Sequence, residues 1–428
     1  MRLALVLLLA LIAVIATLGL ANAADCEIVP SVTARTEFES NLNYTVTSPI
    51  SDYIFSLAPT ATFNYFTDTA QLQGILGLTG YHYLSHGEID HIDQNYQVNG
   101  WYQVTPRWKL GFNTAYINNS NLSEELLVSG LVMTRTPRVS ILAGPAVTYN
   151  LTERLAVSAN YNYYQVNYTS SLYNNYNTQQ AGLRLEQLLK NEKTTLIGTF
   201  TTSETAYPGQ NSVYKQLGFY LGADHKFSPD WEISLLGGLN LTFFDFPTQM
   251  LNLAQFPFLF SNQQVRLHQT SAEPFINLVA TRKWTNLSVA GGYLRNQNPS
   301  AYGTISDMNQ LFLNLGYDFT EKWSGSLNAF YTLSNQISTS TGYQSSFFSI
   351  NPSLIYHLTE RLTLSPGYNF GLRNESTINR TANNQTVWLM LTYIQPSVLA
   401  AAQAPTPVGT MPSSPGMMAH PTPILFGR

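Results

Sequence analysis

A short polar turn that opens a new strand recurs along most of this chain. In each clear copy, Tyr or His precedes Thr or Ser by three positions, two turn-forming or charged residues follow, and the next segment opens with Trp or Leu. The clear copies span residues 102–108, 149–155, 225–231, 317–323 and 356–362. Thr, Ser, Pro and Asp favour tight turns. The repeat therefore predicts consecutive antiparallel strands joined by short turns.

Four of the six tryptophans occupy the opening position of such a copy or of a looser one. These residues are Trp108, Trp231, Trp284 and Trp323. A membrane interface favours indole at a fixed level, because the ring contacts lipid while its N–H contacts headgroup water. The pattern predicts an interfacial aromatic girdle. A soluble β-repeat that opens its strands with a large apolar residue is the alternative.

The segments between the turns alternate with period two. In 231–242 the odd positions are Trp, Ile, Leu or Gly, and most even positions are polar or glycine; 155–168, 308–319 and 362–373 behave similarly. The strands of a soluble sandwich also alternate between apolar and polar residues, and there the apolar face is turned inward. Here the apolar faces begin and end with aromatic residues and the other face is small and neutral, which favours lipid outside and water inside.

Composition supports that interpretation. Only 11% of the residues are charged, although 13% are aromatic, whereas a soluble domain usually has about a quarter of its residues charged. A helical membrane protein needs several apolar runs of about twenty residues, and the sequence has one, at its start. The net charge of −4 and the absence of a basic stripe indicate no nucleic-acid partner.

Eight short turns and nine longer polar segments connect eighteen strands. The predicted fold is all-β: a transmembrane antiparallel up-and-down β-barrel of about eighteen strands over residues 31–394, with an error of up to two strands. Short turns face the periplasm and long loops face outward. The last predicted strand, 386–393, resembles the assembly signal of outer-membrane barrels, so the expected partners are the barrel-assembly machinery and outer-membrane lipid or lipopolysaccharide.

The two ends of the chain lie outside this barrel. Residues 1–23 read as a cleaved signal peptide, with Arg2, an apolar run and an Ala-x-Ala site; an uncleaved anchor is the alternative. Residues 24–30 form a short N-terminal periplasmic segment. The single cysteine, Cys26, excludes an intramolecular disulfide. Residues 395–428 are rich in Pro and Ala and predict a disordered periplasmic tail, with binding of a periplasmic partner as the alternative.

One loop stands out for its phenylalanines. Residues 243–262 form a candidate constriction loop, which could fold into the mouth, pack on neighbouring loops, or meet a partner or lipid. Its phenylalanines are Phe243, Phe244, Phe246, Phe256, Phe258 and Phe260. Three further aromatic residues are candidates for the lumen wall: Tyr164, Phe312 and Phe330.

Motifs for catalysis or cofactor binding are absent from the sequence. There is no G-x-S-x-G, no phosphate-binding loop and no Cys pair. The densest set of metal-capable side chains is His82, His86, Glu88, Asp90, His91 and Asp93. Its spacing is irregular and matches no recognised metal site, and hydrated loops often collect such residues. We therefore predict no enzyme, no cofactor and no resident metal.

The sequence resembles a family of poorly characterised proteobacterial outer-membrane β-barrel proteins, some of them linked to exopolysaccharide export. The resemblance rests on Leu122–Arg135, on the Leu-Thr-Glu-Arg turns that begin at 151 and 358, and on Asn298-Pro-Ser-Ala-Tyr-Gly303. It covers most of residues 30–394. It implies a barrel in the outer membrane of a Gram-negative bacterium, and it transfers no catalytic or binding residue.

These observations predict a porin-like passive conduit for polar solutes or for an exported polysaccharide. A structural barrel that sheathes a periplasmic partner, such as a multihaem cytochrome, is the first alternative; the haem would come from that partner because the chain has no C-x-x-C-H. A surface adhesin or a barrel enzyme is the second alternative. An enzyme predicts a Ser/His/carboxylate cluster at the rim, whereas a conduit predicts an open, hydrated lumen.

Overall fold

The computed structural model describes residues 25–120, 135–249, 264–336, 344–375 and 380–396. Its strands are β1 (Asp25–Glu39), β2 (Asp52–Phe66), β3 (Ala70–Tyr83), β4 (His91–Gln103), β5 (Trp108–Asn119), β6 (Arg138–Asn150), β7 (Leu155–Tyr168), β8 (Tyr176–Leu188), β9 (Thr194–Tyr207), β10 (Ser212–Ser228), β11 (Trp231–Gln249), β12 (Gln264–Lys283), β13 (Leu287–Pro299), β14 (Ile305–Asp318), β15 (Trp323–Gln336), β16 (Gln344–His357), β17 (Leu362–Glu375) and β18 (Arg380–Ile394).

The strands form one closed antiparallel sheet of eighteen strands, which confirms the predicted fold class. Each strand pairs with its neighbours in sequence, and β1 also pairs with β18, from Ser31 opposite Ile394 to Glu39 opposite Thr386. Closure pairs the first strand with the last, as a sheet whose backbone groups cross hydrocarbon requires. The first strand begins at Asp25, inside the segment 24–30 that we expected to precede the barrel, because residues 25–30 pair with residues 61–66 of β2.

Eight short turns lie at one end of the barrel, which we call the turn end. The nine other connections lie at the opposite end, which we call the mouth. Most of the turns form because a threonine hydroxyl closes them: Thr105 Oγ1 accepts hydrogen bonds from the N–H groups of Arg107 at 3.3 Å and Trp108 at 3.1 Å. Thr359 does the same for Arg361 and Leu362. A threonine hydroxyl closes five of the eight turns in this way, and the Asn191 side chain closes the turn between β8 and β9.

The two faces of the sheet differ as a membrane barrel requires. On β11, Leu235 and Leu239 point outward and are 48% and 53% exposed, whereas Asn240 and Thr242 point into the lumen. The same alternation runs through the other strands, so the outside is apolar and the lumen polar. A closed barrel with these faces is an integral outer-membrane β-barrel. Among the described residues, no helix is long and apolar enough to cross a membrane.

Strand β11 is longer than the alternation up to Thr242 suggested. The candidate constriction loop was placed at 243–262, but residues 243–249 continue β11 and pair with 264–270 of β12. The physical reason is that period two continues past Thr242: Phe243 lies on the outward face and Phe244 in the lumen. Phe246 belongs to the same strand. Phe256, Phe258 and Phe260 lie outside the described residues, as do the signal peptide and the tail from residue 397.

Candidate functional site at the barrel mouth

The connection between β13 and β14 folds into the barrel. Strands β12 and β13 pair only from Lys283 opposite Ser288 to Ile276 opposite Arg295. Beyond Arg295, β13 has no ladder with β12 and remains paired with β14 alone. We call residues 300–304, at the end of this hairpin, the hairpin tip. Ser300 and Ala301 within it are fully buried.

Side chains of the inner wall hold the base of the hairpin. The Gln297 side-chain oxygen accepts hydrogen bonds from Thr242 Oγ1 at 2.5 Å and from Gln216 Nε2 at 3.0 Å. Arg295 Nη2 lies 3.0 Å from Glu273 Oε2 on β12. Gln297 thus joins the hairpin to β10 and β11, and Arg295, the last residue paired with β12, joins it to Glu273 of that strand, so the base beyond the ladder is attached by side chains.

Two tyrosines of the inner wall bind the backbone of the hairpin tip. The Tyr207 hydroxyl accepts the Ser300 N–H at 3.0 Å and faces the carbonyl oxygens of Ser300 and Thr304 at 3.1 and 3.0 Å. The Tyr214 hydroxyl donates to the Gly303 carbonyl at 2.8 Å. Buried backbone groups need such partners. The tip thus gains inside the lumen the hydrogen bonds that a solvated loop would make with water.

The same two tyrosines belong to a continuous row of rings across five strands, which we call the aromatic arc. Ring centroids lie 6.1 Å apart for Tyr164 and Tyr176, 5.5 Å for Tyr176 and Tyr207, 5.5 Å for Tyr207 and Tyr214, and 5.4 Å for Tyr214 and Phe244. These spacings are those of favourable edge-to-face and tilted pairs. The arc forms an apolar seat for Ala301 and Ile305, which are buried in the same cluster.

A second connection enters the mouth from the opposite wall. Tyr44, between β1 and β2, is buried with its ring 5.8 Å from Phe347 of β16, and both residues belong to the cluster that contains the hairpin tip. Asn41 fixes this loop: its amide nitrogen donates to the carbonyls of Thr45 and Asn383 at 2.8 and 3.0 Å. The two inward connections, the aromatic arc and Tyr173 of the connection between β7 and β8 therefore form one buried cluster at the mouth.

The predicted lumen aromatics are divided between two places. Tyr164 lies at one end of the aromatic arc, and Phe244, from the predicted constriction, lies at the other. Phe312 and Phe330 are opposite each other on β14 and β15, on the lumen face and away from the arc. A Cβ atom on Gly292 would approach the Phe312 ring to 2.6 Å, so Phe312 lies flat over that glycine.

The predicted girdle tryptophans lie at the turn end. Trp108, Trp231 and Trp323 open β5, β11 and β15, whereas Trp284 lies in the turn between β12 and β13 and not at the start of a strand. Trp108, Trp284 and Trp323 are 45%, 45% and 41% exposed on the outer face. Arg282 lies over the Trp231 and Trp284 rings, at 5.3 and 4.5 Å from their centroids.

The histidine-rich segment after β3 forms separate pairs. His82 Nδ1 lies 2.7 Å from Asp90 Oδ2, and His86 Nδ1 lies 2.9 Å from Asp52 Oδ2. The Tyr83 N–H also donates to Asp90, and these two contacts hold the pKa of the Asp90 carboxyl below its ordinary value. Over the described residues, no group of three metal-capable side chains comes together.

Ser120, His91 and Asp93 meet at the lumen wall, but not in the order that a catalytic triad needs. Ser120 Oγ lies 2.8 Å and Asp93 Oδ1 3.4 Å from the same nitrogen, His91 Nε2. His91 Nδ1 donates to the Ile89 carbonyl at 2.8 Å. A serine nucleophile and its orienting carboxylate must bind opposite nitrogens of the ring. This cluster is therefore a hydrogen-bonded part of the wall.

Comparisons with known proteins give distant likenesses in structure alone. Pseudomonas aeruginosa OccK2 (OpdF), solved in complex with glucuronate, is 11% identical with a TM-score of 0.42; the match covers 88% of this chain and 99% of that one. P. aeruginosa OpdK with vanillate is 12% identical with a TM-score of 0.43, covering 86% and 98%. The Escherichia coli ferric-catecholate import receptor Fiu is 9% identical with a TM-score of 0.45, covering 87% and 82%.

No family model and no curated protein matches the chain. The identities and TM-scores of the structural likenesses are too low to transfer a ligand or a function. The site must therefore be interpreted from its own residues.

Sequence analysis missed the hairpin tip and its two tyrosine anchors. Tyr207 and Tyr214 are two of 26 tyrosines, and nothing in their local sequence distinguishes them. The segment Asn298–Gly303 does indicate a turn at the tip, although it entered the sequence analysis only through the family resemblance. Its proline and its glycine are the residues expected where a strand ends in a tight, positive-φ turn, and Gly303 has a φ of +80°.

Proposed function

We propose that this barrel is a gated, porin-like conduit for small polar solutes across the outer membrane. The observation that carries the proposal is the polar lumen of an eighteen-stranded barrel whose mouth holds an inserted hairpin tip. Barrels of this size are wide enough for an aqueous passage unless a segment fills them. The tip, its tyrosine anchors and the Tyr44 loop form that filling segment at the outer end.

The way the tip is attached supports a gate. Beyond Arg295 the hairpin contacts the rest of the barrel through side chains such as Tyr207 and Tyr214 and through one backbone hydrogen bond, from the Asn174 N–H to the Ala301 carbonyl at 2.7 Å. The wall strands, in contrast, hold each other through continuous backbone ladders. Each side-chain hydrogen bond contributes only about 1 kcal/mol. The tip can therefore leave the lumen at a cost of a few such bonds, while the barrel wall stays paired.

An exported polysaccharide is the alternative cargo for the same lumen. A polymer would have to thread the mouth, which needs the tip and the Tyr44 loop to move apart. A sheath for a periplasmic protein would need the lumen free along its length, and the two inward connections occupy its outer end. The conduit for small polar solutes therefore fits the geometry best.

The tryptophans at the turn end fit the orientation that this function needs. We propose that Trp108, Trp231, Trp284 and Trp323 form the girdle at the periplasmic interface. Aromatic neighbours extend the band, because Trp108 packs on Tyr149 at 4.6 Å and Trp323 on Tyr356 at 4.4 Å between ring centroids. With the turn end in the periplasm, the mouth and its inserted hairpin tip face the outside of the cell.

Single-channel conductance of the full chain in planar bilayers tests the conduit. The variant Y207F/Y214F removes the hydroxyls that hold the tip and keeps the rings. Tyr207 loses one accepted and one donated hydrogen bond and Tyr214 loses one donated bond, each of about 1 kcal/mol, so the open population should rise about tenfold or more. The matched control Y161F/Y163F removes two hydroxyls of β7 that bind Gln179 and Gln165 instead, and it should conduct like the unmodified chain. Absence of conductance in all three proteins would contradict the conduit.

A further inference from the structure

Five arginines that the structure describes at the lumen pair with glutamates of the wall. Three strands carry Arg-x-Glu, and period two places both side chains on the lumen face. On β8 the contact from Arg184 Nε to Glu186 Oε1 is 2.6 Å, and the pairs on β1 and β17 are also in contact. The pairs on β1 and β17 are Arg35 with Glu37 and Arg373 with Glu375.

Two further arginines reach glutamates from other elements. Arg135 Nη2 lies 3.2 Å from Glu39 Oε2, and Arg295 pairs with Glu273. A wall of compensated pairs presents little net field to a passing ion, because each charge is screened by its neighbour.

Neutral polar side chains follow one line across the lumen wall, which we call the polar row. Its first half runs over four neighbouring strands from the turn end. Asn64 on β2 is opposite Gln73 on β3, Gln73 is opposite Asn99 on β4, and Asn99 is opposite Asn113 on β5. Directly opposite residues share a face and lie within about 5.5 Å of each other. Four carboxamides therefore form a continuous strip.

The second half of the polar row climbs to the mouth. Asn162 on β7 is opposite Gln180, Gln180 is opposite Ser203, Ser203 is opposite Gln216, and Gln216 is opposite Thr242 on β11. The row ends where Gln297 of the hairpin bonds both Gln216 and Thr242. No position of the row carries a charge.

Gly144 on β6 joins the two halves. A Cβ atom at this position would lie 2.2 Å from Oδ1 of Asn113 and equally close to Oδ1 of Asn162. Both carboxamides therefore extend over the space that a side chain would fill. Because strands tilt in a barrel, a line of opposite residues rises as it crosses them. The polar row is thus a spiral that leads from the turn end to the base of the hairpin.

The chemistry of the polar row indicates its ligand. A carboxamide and a hydroxyl each donate and accept hydrogen bonds without carrying charge. Sugar hydroxyls also donate and accept hydrogen bonds. One neutral sugar ring can therefore act as donor to one group of the row and as acceptor from the next. The groups of the row themselves offer a carboxylate solute no cation, and the nearby Lys109 on β5 has its Nζ over the Trp101 ring, 4.0 Å from the centroid. We propose that the polar row binds neutral polyhydroxylated solutes, of the class of uncharged oligosaccharides, on their way through the conduit proposed above.

Equilibrium dialysis of the purified full chain in detergent measures this binding without requiring conductance. The probes are maltohexaose, which is neutral, and hexagalacturonate, which has the same length and a carboxylate on every ring. We expect maltohexaose to bind at least about tenfold more tightly, because desolvating a carboxylate without a partner opposes binding.

Two double variants locate the site. N99L/N113L replaces two opposite carboxamides of the polar row and should weaken maltohexaose binding about tenfold or more, since two hydrogen-bonding groups are lost. N314L/N328L replaces two carboxamides that are also opposite each other, on β14 and β15 of the other wall. This matched control should change the affinity by less than about twofold. Heat-dependent gel mobility first establishes that both variants are folded barrels.

The outcomes separate this inference from the conduit. Absence of maltohexaose binding, equal losses in the two double variants, or equally tight binding of hexagalacturonate would each overturn the polar row as a neutral-sugar site, even if the barrel conducts ions. Maltohexaose binding that depends on Asn99 and Asn113, in a barrel that never conducts, would support the site and overturn the conduit alone.

Discussion

At the scale of single residues, the mouth depends on hydroxyls and one glycine. The Tyr207 side chain has no exposed surface, and its hydroxyl meets three backbone groups of the hairpin tip. Gly303 has a φ of +80°, and a Cβ atom there would lie 2.0 Å from the Gln210 side-chain oxygen. Backbone angle and neighbouring side chain therefore both favour glycine.

Replacing Gly303 by alanine should loosen the tip. A non-glycine residue with positive φ costs about 1–2 kcal/mol, so we expect the Gly303→Ala tip to open about tenfold more often. Residue-resolved hydrogen exchange of the amide at position 303, which donates to the Ser300 carbonyl at 3.1 Å, measures this. Gly80→Ala is the control, because no atom lies within 4 Å of the added Cβ. Equal exchange in the two variants would refute the role of Gly303.

Sequence reasoning found part of this site for a physical reason. Tyr164 was predicted for the lumen because alternation tells which face a strand residue occupies, and Phe244 because it belongs to a phenylalanine-rich segment; both lie in the aromatic arc. Tyr207 was missed because alternation does not tell which lumen residues lie at the same height as a distant loop. That height depends on barrel tilt and stagger, which arise only when all strands are paired.

At the scale of elements, the turns were the most predictable part. Each of the eight short turns falls within a few residues of its predicted position, because a Thr, Ser or Asn side chain can close the turn locally. The length of β11 was less predictable, since phenylalanine suits both an extended strand and an apolar loop. The connection between β3 and β4 is a further element whose structure depends on side-chain contacts.

Lowering the pH should destabilise the folded connection between β3 and β4. The pKa of Asp90 is lowered mainly by the Tyr83 N–H and the His82 ring. Because the folded pKa lies below the unfolded one, the stabilisation is complete above the ordinary value of 3.8 and is lost as the pH falls through the folded value. Exchange of the Tyr83 amide, corrected for its intrinsic rate, should therefore accelerate below about pH 4.

A variant separates this carboxylate from its neighbour. Asp90→Asn cannot titrate, so the acceleration at the Tyr83 amide should disappear. The Ser85 amide binds Asp52 instead, at 3.0 Å, and should keep its own pH dependence in that variant. A Tyr83 amide that still responds to acid after the substitution would show that another group controls it.

At the scale of the whole molecule, closure between the first and last strands defines the barrel. The sequence indicated closure because a strand edge cannot lie in hydrocarbon, and the number eighteen followed from counting turns. The sequence did not reveal the register of the seam, because β1 and β18 are separated by the rest of the barrel. In the structure Thr33 is opposite Thr392, with their hydroxyl oxygens 3.0 Å apart.

A disulfide across this seam tests the register. In a Cys26→Ser background, T33C/T392C places two thiols on directly opposite lumen positions, where Cβ atoms lie about 4.5–5.5 Å apart, and mild oxidation should link most of the folded protein. The control A34C/T392C is shifted by one residue, so its side chains lie on opposite faces of the sheet. The prediction fails if the shifted pair links as readily, as judged by non-reducing gels of the denatured chain.

The side-chain attachment of the hairpin tip also bears on how such a protein can diverge. A strand residue of the wall pairs with the strands on both sides. The hairpin that ends in the tip has no backbone pairing with β12 beyond Arg295, and the barrel is closed without that pairing. Substitutions, insertions or exchanges at 300–304 can accumulate without disturbing strand register or membrane assembly. Over generations the mouth can therefore change while descendants inherit an unchanged wall.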